Sequence, residues 1–318
     1  MTIYIARRVI GLIPVLFAIS VLVFMMLHLA PGDPVLTILG ASERTNLDPG
    51  VIAQVRQEFG LDQPLHVQFL MFISKAARGN LGRSFQTRED VLTMVASRLP
   101  ATMQLTLASM AISLLIALPL GVISAVRQNS WVDNASMVFA AFGISVPRFW
   151  FGLILILIFS LRLGLLPTTG IGHIEDGLGD VLRHLLLPAT SLGLSMLALV
   201  TRMTRSSMLE VIRQDYIRTA WAKGLSSRVV IYKHALKNAL IPVVTVVGMQ
   251  FGGLLGGAVV TETIFSWPGV GRLAVNSILR RDFPMVQGTT LVLCFTFVVM
   301  NLFVDLMYTF LDPRIRYD

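Results

Sequence analysis

The residue types that most often carry out catalytic or metal chemistry are few and dispersed in this chain. The single cysteine, Cys294, cannot form a disulfide within the chain. A protein zinc site requires several cysteine or histidine ligands at close spacing. The histidines are instead scattered, at His28, His66, His173, His184 and His234. A metal centre is therefore not predicted.

Motifs for nucleotide binding and for covalent catalysis are also missing from the sequence. A phosphate-binding loop contains a Gly-Lys pair, and this chain has none. The segment Gly121-Val122-Ile123-Ser124 lacks the second glycine of a nucleophile elbow. The chain is therefore predicted not to be an enzyme and to bind no cofactor itself. Any ATP chemistry linked to its function would belong to another polypeptide.

A basic stretch at residues 202–237 instead has the composition of a protein-binding element. Residues 210–223 are predicted to be helical, and Gly224 can adopt the left-handed conformation that ends a helix. Ser226 or Ser227 can cap the helix that follows. Tyr216 and Trp221 offer anchoring area for a partner. Small side chains beside them would form a low ridge, at Thr219, Ala220, Ala222 and Gly224.

The remainder of the chain is strongly apolar. Hydrophobic residues make up 54% and charged residues 14% of the sequence, and the mean hydropathy is +0.73. Soluble domains carry about 25% charged residues, and about 20 helical residues cross a hydrocarbon core of roughly 30 Å. We therefore predict an all-α, polytopic membrane protein with six transmembrane helices. The six runs are 9–30, 101–126, 134–161, 185–201, 239–261 and 286–311.

The distribution of lysine and arginine predicts how these spans are oriented. A cytoplasmic N-terminus places the basic stretch 202–237 and the C-terminus in the cytoplasm, which then has the higher density of basic residues. The net charge of +8 is explained by this orientation and by contact with anionic lipid. Nucleic acid is not a predicted partner. The first apolar run is longer than the core of a signal peptide, so we expect it to remain uncleaved.

Two parts are predicted along the chain. Residues 1–98 comprise the first transmembrane helix and an extracytoplasmic cap, and residues 99–318 form a transmembrane domain with a cytoplasmic loop at 202–239. In the cap, Asp48-Pro49 is expected to begin a short helix. This helix would end at Gly60 and carry an apolar face of Ile52, Val55 and Phe59.

A second amphipathic stretch in the predicted cap covers residues 64–77. Its apolar face could be buried in two ways. Both cap helices would either lie over the mouth of the bundle or rest on lipid headgroups. The sequence leaves these two placements open.

The fifth span is rich in glycine, at positions that allow another helix to approach closely. Gly248, Gly252, Gly253, Gly256 and Gly257 form three overlapping pairs at four-residue spacing. In lipid such a pattern indicates a packing face. The face would either pack within this chain or contact a second membrane subunit along a translocation path.

The third span contains Pro147-Arg148-Phe149-Trp150, which combines a helix-kinking residue with a charge near the middle of the membrane. Arg148 is therefore expected to line an aqueous cavity or, alternatively, to contact backbone carbonyls. The candidates for a translocation path are Arg148, Phe149, Gly252 and Gly256. An ion-coupled transporter working alone would need acidic relays and internal repeats. Asp305 is the sole acidic residue well inside a predicted span, so this class is disfavoured.

The cytoplasmic loop resembles that of the permease subunits of type I ABC importers, which carry an E-A-A-x-x-x-G motif. The corresponding residues are Arg218-Thr219-Ala220 and Gly224, with Arg218 in place of the acidic residue and the downstream proline only at Pro242. Further motifs resemble the first permease of the dipeptide, oligopeptide and nickel branch. They are Pro31-Gly32-Asp33-Pro34, Leu61-Asp62-Gln63-Pro64, Leu81-Gly82-Arg83-Ser84-Phe85, Arg98-Leu99-Pro100-Ala101-Thr102, Glu262-Thr263-Ile264-Phe265-Ser266-Trp267-Pro268-Gly269-Val270-Gly271 and Leu311-Asp312-Pro313-Arg314.

This resemblance implies a multi-pass protein of the bacterial inner membrane that works in an assembly. The implied partners are a second homologous permease, two cytoplasmic ATP-binding subunits that hold ATP and magnesium, and an extracytoplasmic solute-binding protein. The implied cargo is a dipeptide or oligopeptide, with a nickel chelate, glutathione or another small conjugate as the alternative. The residues that would couple transport to the ATPase are Arg218, Thr219, Ala220, Trp221 and Gly224.

Overall fold

The computed structural model describes the backbone of residues 2–29, 35, 48–58 and 62–311. Within these ranges every regular element is a helix, apart from an isolated bridge between Arg83 and Asp90. The main helices are α1 Thr2–Leu29, α2 Pro49–Glu58, α3 Leu65–Ala77, α4 Val91–Val126, α5 Trp131–Ser145, α6 Arg148–Leu155, α7 Leu178–Ile212, α8 Asp215–Ala222, α9 Leu236–Ile264, α10 Val270–Leu279 and α11 Phe283–Leu311. π-Helical turns follow α6 at Ile156–Arg162 and precede α9 at Val229–Ala235, and a 3-10 turn, Ile174–Asp176, precedes α7.

The first cap helix begins where the sequence predicts. The side-chain Oδ1 of Asp48 accepts a hydrogen bond from the Gly50 N–H at 2.9 Å, and α2 starts at Pro49. Proline suits this position because the first helical N–H has no partner within the helix. Several other predicted features lie outside the described residues. They are Pro31-Gly32-Asp33-Pro34, Phe59, Gly60, Leu61, Asp312-Pro313-Arg314 and the side chains of Val55 and Asp305.

The all-α membrane architecture is confirmed, whereas the number of spans is matched only in part. Four described helices are long and apolar enough to cross a membrane: Val91–Val126, Leu178–Ile212, Val229–Ile264 and Phe283–Val304. Helices α5 and α6 meet the same criteria only as a pair. In α1, the described apolar segment is the shorter Ile10–Met26. Length and composition thus support four or five spans among the described residues.

The third predicted span is not one kinked helix. It consists of α5 and α6, whose axes differ by 110°. Val146 and Pro147 separate the two helices and adopt extended conformations, with ψ angles of 130° and 129°. The proline ring disfavours helical geometry at the residue before it, which accounts for the break at Val146. The third predicted span, 134–161, is therefore broken into two helices at Val146 and Pro147, and the two pass the criteria for a span only together.

The chain forms two compact units. The cap unit comprises Met1–Ala101 and Pro268–Val299, and the bundle unit comprises Thr102–Trp267 and Met300–Asp318. In the cap unit, α3 packs on α1 because the Phe69 ring makes edge contacts with the rings of Phe17 and Phe24. The side chains of His28 and Gln68 also lie within hydrogen-bonding distance, 3.1 Å.

A buried carboxylate organises the rest of the cap unit. Asp282 accepts hydrogen bonds from the Ser84 hydroxyl and the Phe85 N–H, at 2.5 and 3.1 Å. The Ser84 hydroxyl oxygen also accepts the N–H groups of Gln86 and Thr87. These bonds fix the loop that precedes α4 and satisfy polar groups that would be costly to bury alone. Beside the loop is an apolar cluster centred on Val91, Val95, Val270 and Met285.

In the bundle unit, α7 is the most enclosed of the candidate spans. Helix α7 approaches α4 and α5 at positions where one of the two facing residues is a glycine. A Cβ added to Gly121 of α4 would lie 2.6 Å from the Thr204 Cβ, and one added to Gly143 of α5 would lie 2.9 Å from the Ala198 Cβ. A Cβ on Gly193 of α7 would lie 2.8 Å from the Ser109 carbonyl oxygen of α4. Small residues at such contacts are characteristic of helix association in lipid.

The close contact at Gly193 predicts a specific loss of stability. We expect Gly193→Ala to destabilise the protein by about 1–3 kcal/mol, because the added methyl group overpacks a helix interface. The matched control is Gly256→Ala, since a Cβ at Gly256 meets no atom within 4 Å. Thermal unfolding of the purified protein, followed by fluorescence-detected size exclusion, measures both. Equal unfolding midpoints for the two variants would contradict the packing described here.

Candidate functional site

The helix predicted at residues 210–223 is interrupted. Helix α7 ends at Ile212, and α8 begins separately at Asp215 after a two-residue turn. The Gln214 carbonyl accepts the first hydrogen bonds of α8, from the N–H groups of Ile217 and Arg218. The Asp215 carboxylate lies in the first turn, where a negative charge suits the helix dipole. The structure therefore replaces one predicted helix with a long span and a short, separate helix.

The glycine turn after α8 is confirmed. Gly224 has a φ angle of +76°, and its N–H donates to the Trp221 carbonyl at 2.9 Å. A Cβ at this position would meet no atom within 4 Å, so the requirement for glycine comes from the backbone alone. A side chain in this conformation costs about 1–2 kcal/mol. The next helical segment begins at Ser227, and the Ser226 carbonyl accepts the N–H of Val230.

Helix α8 has one buried face. Ile217 and Ala220 are buried in a cluster that we call the basal cluster. Its other buried members come from α4, α7, the π-helical turn and α9, and are Val122, Ala125, Met208, Val230, Ala235 and Ala239. The sequence predicts that Ala220 lies in a ridge open to a partner. That prediction was wrong, because Ala220 is buried. Its small side chain lets α8 lie close to the neighbouring helices of the bundle unit.

The opposite face of α8 is open to solvent. Tyr216 and Trp221 are about two-fifths exposed, and the Tyr216 hydroxyl is 2.7 Å from Nδ2 of Asn238, which donates to it. Arg218 lies 3.6 Å from Asp215, in a pair that is almost fully exposed. We call the exposed residues of this face the coupling surface. They are Tyr216, Arg218, Thr219, Trp221, Ala222, Lys223, Gly224 and Leu225.

A buried ion pair that the sequence analysis missed lies within the same unit. The Arg205 Nη2 donates to Asp133 Oδ2 at 2.7 Å, and Nε donates to Oδ1. The Asp133 carboxylate also accepts the Ser124 hydroxyl and the Asn129 N–H. It is only 1% exposed. These bonds tie the end of α4, the start of α5 and the last turns of α7 together.

Part of this arrangement leaves a local signal in the sequence. Ser130 is the N-cap of α5, and its side-chain oxygen accepts the N–H of Asp133. A serine followed three residues later by an acidic residue is typical of a helix start. Nothing local identifies the partner, because Arg205 lies 72 positions further along the chain.

The structure places Arg148 at the start of α6, against α7 and α9. Its Nε donates to the Ser195 hydroxyl at 3.2 Å, and Nη1 is 3.5 Å from the Gly253 carbonyl oxygen. The latter distance is long for a hydrogen bond. The Ser191 hydroxyl donates to the Arg148 carbonyl at 3.0 Å. Gly257 leaves the space that the guanidinium occupies, because a Cβ there would collide with Nη1.

The other three candidates for a translocation path have different surroundings. Phe149 is about half exposed, whereas Gly252 is buried within the chain. Gly256 faces open space on α9. The fifth-span glycines thus fall into two groups, of which only the first shows the packing within this chain that was one of the two expectations. Gly248, Gly252 and Gly257 pack within this chain, while Gly253 and Gly256 are left uncovered by it.

A basic cavity lies in the cap unit. It has a volume of about 630 Å³ and includes the loop before α4. Its charged lining residues are Lys75, Arg78, Arg83, Arg88 and Asp90. Asp90 already accepts hydrogen bonds from the N–H and hydroxyl of Thr93. Positive charge therefore dominates the lining.

Comparison with known proteins places the chain in a family. Residues 117–317 match the model of the binding-protein-dependent transport system inner membrane component. Residues 1–106 match the model of the N-terminal part of such membrane components. The chain therefore belongs to the family of inner membrane components of binding-protein-dependent transport systems. It is a permease subunit of an ABC importer, as the resemblance in the sequence implied.

Two relatives illustrate how far the similarity extends. The glutathione transport system permease protein GsiC of Escherichia coli O6:H1 is 46% identical over 314 residues, covering 99% of both chains. The dipeptide transport system permease protein DppB of Alkalihalophilus pseudofirmus is 45% identical over 334 residues, again covering 99% of each. The similarity therefore includes both the cap and the bundle regions.

A solved structure shares the fold. A chain of the MetNI methionine ABC transporter, in an inward-facing conformation, matches with a TM-score of 0.54 and 19% identity. The match covers 69% of this chain and 96% of that chain. At this level of identity the comparison supports the type I importer transmembrane fold.

The buried ion pair predicts a measurable coupling between two distant residues. We expect Asp133→Asn to destabilise the protein by about 2–3 kcal/mol, below the full cost of breaking a buried pair because Arg205 remains partly exposed. Removing both charges, by adding Arg205→Gln, should cost no more than the worse single substitution. Thermal unfolding of Asp133→Asn, of Arg205→Gln and of the double variant measures the three losses of stability.

The exposed pair on α8 supplies the control. Asp215→Asn should leave the unfolding midpoint almost unchanged, since an exposed ion pair contributes little to stability. Additive losses at Asp133 and Arg205 would show that the two side chains stabilise the protein independently.

Proposed function

We propose that this chain forms half of the translocation pathway of an importer for small peptides. The observation that carries the cargo assignment is near-full-length similarity, at 45–46% identity, to a dipeptide permease and a glutathione permease. Dipeptides are the first candidate and glutathione is the second. Both are short, flexible and carry carboxylates, so one kind of pathway would suit either.

We propose that the coupling surface docks on an ATP-binding subunit. Two features of α8 support this. Its outward face presents Trp221, small residues and basic residues, while Ile217 and Ala220 fix its inward face to the basal cluster. A short helix held in this way can transmit a movement of the partner as a rigid body. ATP and magnesium would be bound by two such subunits.

The remaining partners are assigned to other surfaces. The uncovered face of α9, which includes Met249, Gly253, Gly256 and Val260, would face the second permease across the translocation pathway. The solute-binding protein would dock on the outer side, where residues 1–98 contribute the cap. Residues 99–318 would form the transmembrane domain, with the loop 202–239 and both termini in the cytoplasm.

Loss of the aromatic anchor should weaken assembly with the ATPase. We expect Trp221→Ala to lower the affinity of the permease for the ATP-binding subunit by at least about 30-fold, because a tryptophan anchor contributes 2 kcal/mol or more. Titration of the purified ATP-binding subunit onto the permease in nanodiscs measures the affinity. Uptake in proteoliposomes should fall in parallel.

The control is Leu163→Ala, which removes an exposed apolar side chain from the loop after α6. This variant should bind the ATP-binding subunit as the wild type does. If Trp221→Ala binds and transports normally, the coupling surface lies elsewhere.

The cargo assignment is tested by uptake in the source organism. A strain lacking this chain should lose uptake of a labelled dipeptide, and the wild-type gene should restore it. Glutathione and nickel are assayed in parallel. Loss of glutathione uptake alone would select the second candidate, and normal uptake of both peptides would refute a peptide importer.

A further inference from the structure

We infer that Arg148 binds a carboxylate of the cargo at mid-membrane. The inference rests on the proposed function, because it requires that this chain lines a pathway for peptides. It assigns to that pathway a residue that selects anionic groups. The steps below use the position of Arg148, its partners and the space around it.

Arg148 lies deep in the apolar part of the bundle unit. Its hydrogen-bond partner Ser195 is halfway along the 35-residue helix α7. At 1.5 Å per residue, each end of α7 is about 25 Å from this serine. Ser195 also lies inside the apolar run 185–201, so the guanidinium is placed in the membrane-spanning part of the chain. The anion that neutralises this charge would come from the cargo, from a lipid headgroup or from a partner subunit, and the experiment below distinguishes these three sources.

Among the described residues, no side chain neutralises the charge of Arg148. In the part of the chain that the structure describes, its side chain bonds only to neutral oxygens, the Ser195 hydroxyl and the Gly253 carbonyl. No carboxylate there forms an ion pair with it. Charged side chains inside a membrane are costly and usually mark a pathway or a ligand. The guanidinium has five N–H donors, so most of them remain available for a ligand.

The neighbouring backbone leaves room for a ligand next to this guanidinium. Gly257 has no side chain, which allows the guanidinium to lie against α9. One turn earlier, a Cβ on Gly253 would meet nothing within 4 Å. Arg148 itself is neither buried nor fully exposed. A small anion can thus reach the guanidinium from the side of the uncovered glycines.

A carboxylate suits a guanidinium whose N–H donors are largely available. Its two oxygens match two parallel N–H donors of a guanidinium, which gives a bidentate, charge-assisted pair. Dipeptides and glutathione both carry free carboxylates. A peptide amide lacks that charge and would leave the guanidinium without a counterion. Lysine would keep the charge but lose the bidentate geometry.

Direct binding to the assembled importer tests the inference. The importer is placed in phosphatidylcholine nanodiscs without its solute-binding protein, and saturation-transfer NMR measures binding of alanyl-alanine and of alanyl-alaninamide. The wild type should bind the free acid at least about 10-fold more tightly than the amide, as expected for a hydrogen bond to a charged group. Arg148→Met should remove this preference, and Arg148→Lys should retain part of it.

Arg162→Met is the matched control, because Arg162 is an exposed arginine at the end of the π-helical turn after α6. It should leave the preference for the free acid unchanged. If Arg148→Met does not assemble, the wild-type importer still tests the inference through its relative affinities for the free acid and the amide. Equal binding of the two probes would overturn the inference.

Two further outcomes would assign the site to another anion. Loss of dipeptide binding when phosphatidylglycerol is added would show that lipid occupies the site. The second outcome has two parts: the wild type shows no preference for the free acid, and the two permeases separate in Arg148→Met. Together they would identify an acidic residue of the second permease as the partner of Arg148.

ATP hydrolysis stimulated by the solute-binding protein serves as a separate readout of the proposed function. If it persists while the carboxylate preference is absent, only this inference fails.

Discussion

The structure of the bundle unit depends on the close approach of helices around α7. In lipid the hydrophobic effect does not drive helices together, so association requires tight packing and hydrogen bonds. Gly121, Gly143 and Gly193 provide contacts in which a single methyl group would collide with the opposite helix. The Ser113 hydroxyl adds a hydrogen bond to the Gly193 carbonyl at 2.9 Å. Helix α7 can therefore serve as a fixed reference for both candidate sites.

Those two sites lie at different levels of α7. Near its C-terminal end, Arg205 is held by Asp133, and Met208 contributes to the basal cluster beneath α8. Halfway along it, Ser195 holds the Arg148 side chain. A force applied to α8 would act on the same helix that positions Arg148. The proposed coupling surface and the proposed carboxylate site are thus joined through packed side chains within one unit.

The sequence predicted features that depend on local chemistry. Composition indicates a helical membrane protein, Pro49 marks a helix start, and Gly224 marks a turn with a positive φ angle. Features that depend on distant contacts were not predictable from one sequence. Ala220 reads as part of an exposed ridge until Met208 and Val230 are seen to cover it. Pro147 predicts a break, but nothing local predicts the 110° angle between α5 and α6, both of which contact α7.

Cysteine cross-linking tests the central claim most directly, namely that the outer face of α8 contacts the ATP-binding subunit. In a Cys294→Ser background, Ala222→Cys places a thiol on the exposed face and Ala220→Cys places one on the buried face. With a cysteine scanned across the docking cleft of the ATP-binding subunit, Ala222→Cys should form a disulfide-linked heterodimer that changes with ATP. Ala220→Cys should form none. Cross-linking from Ala220→Cys but not from Ala222→Cys, in an importer that hydrolyses ATP, would contradict this account.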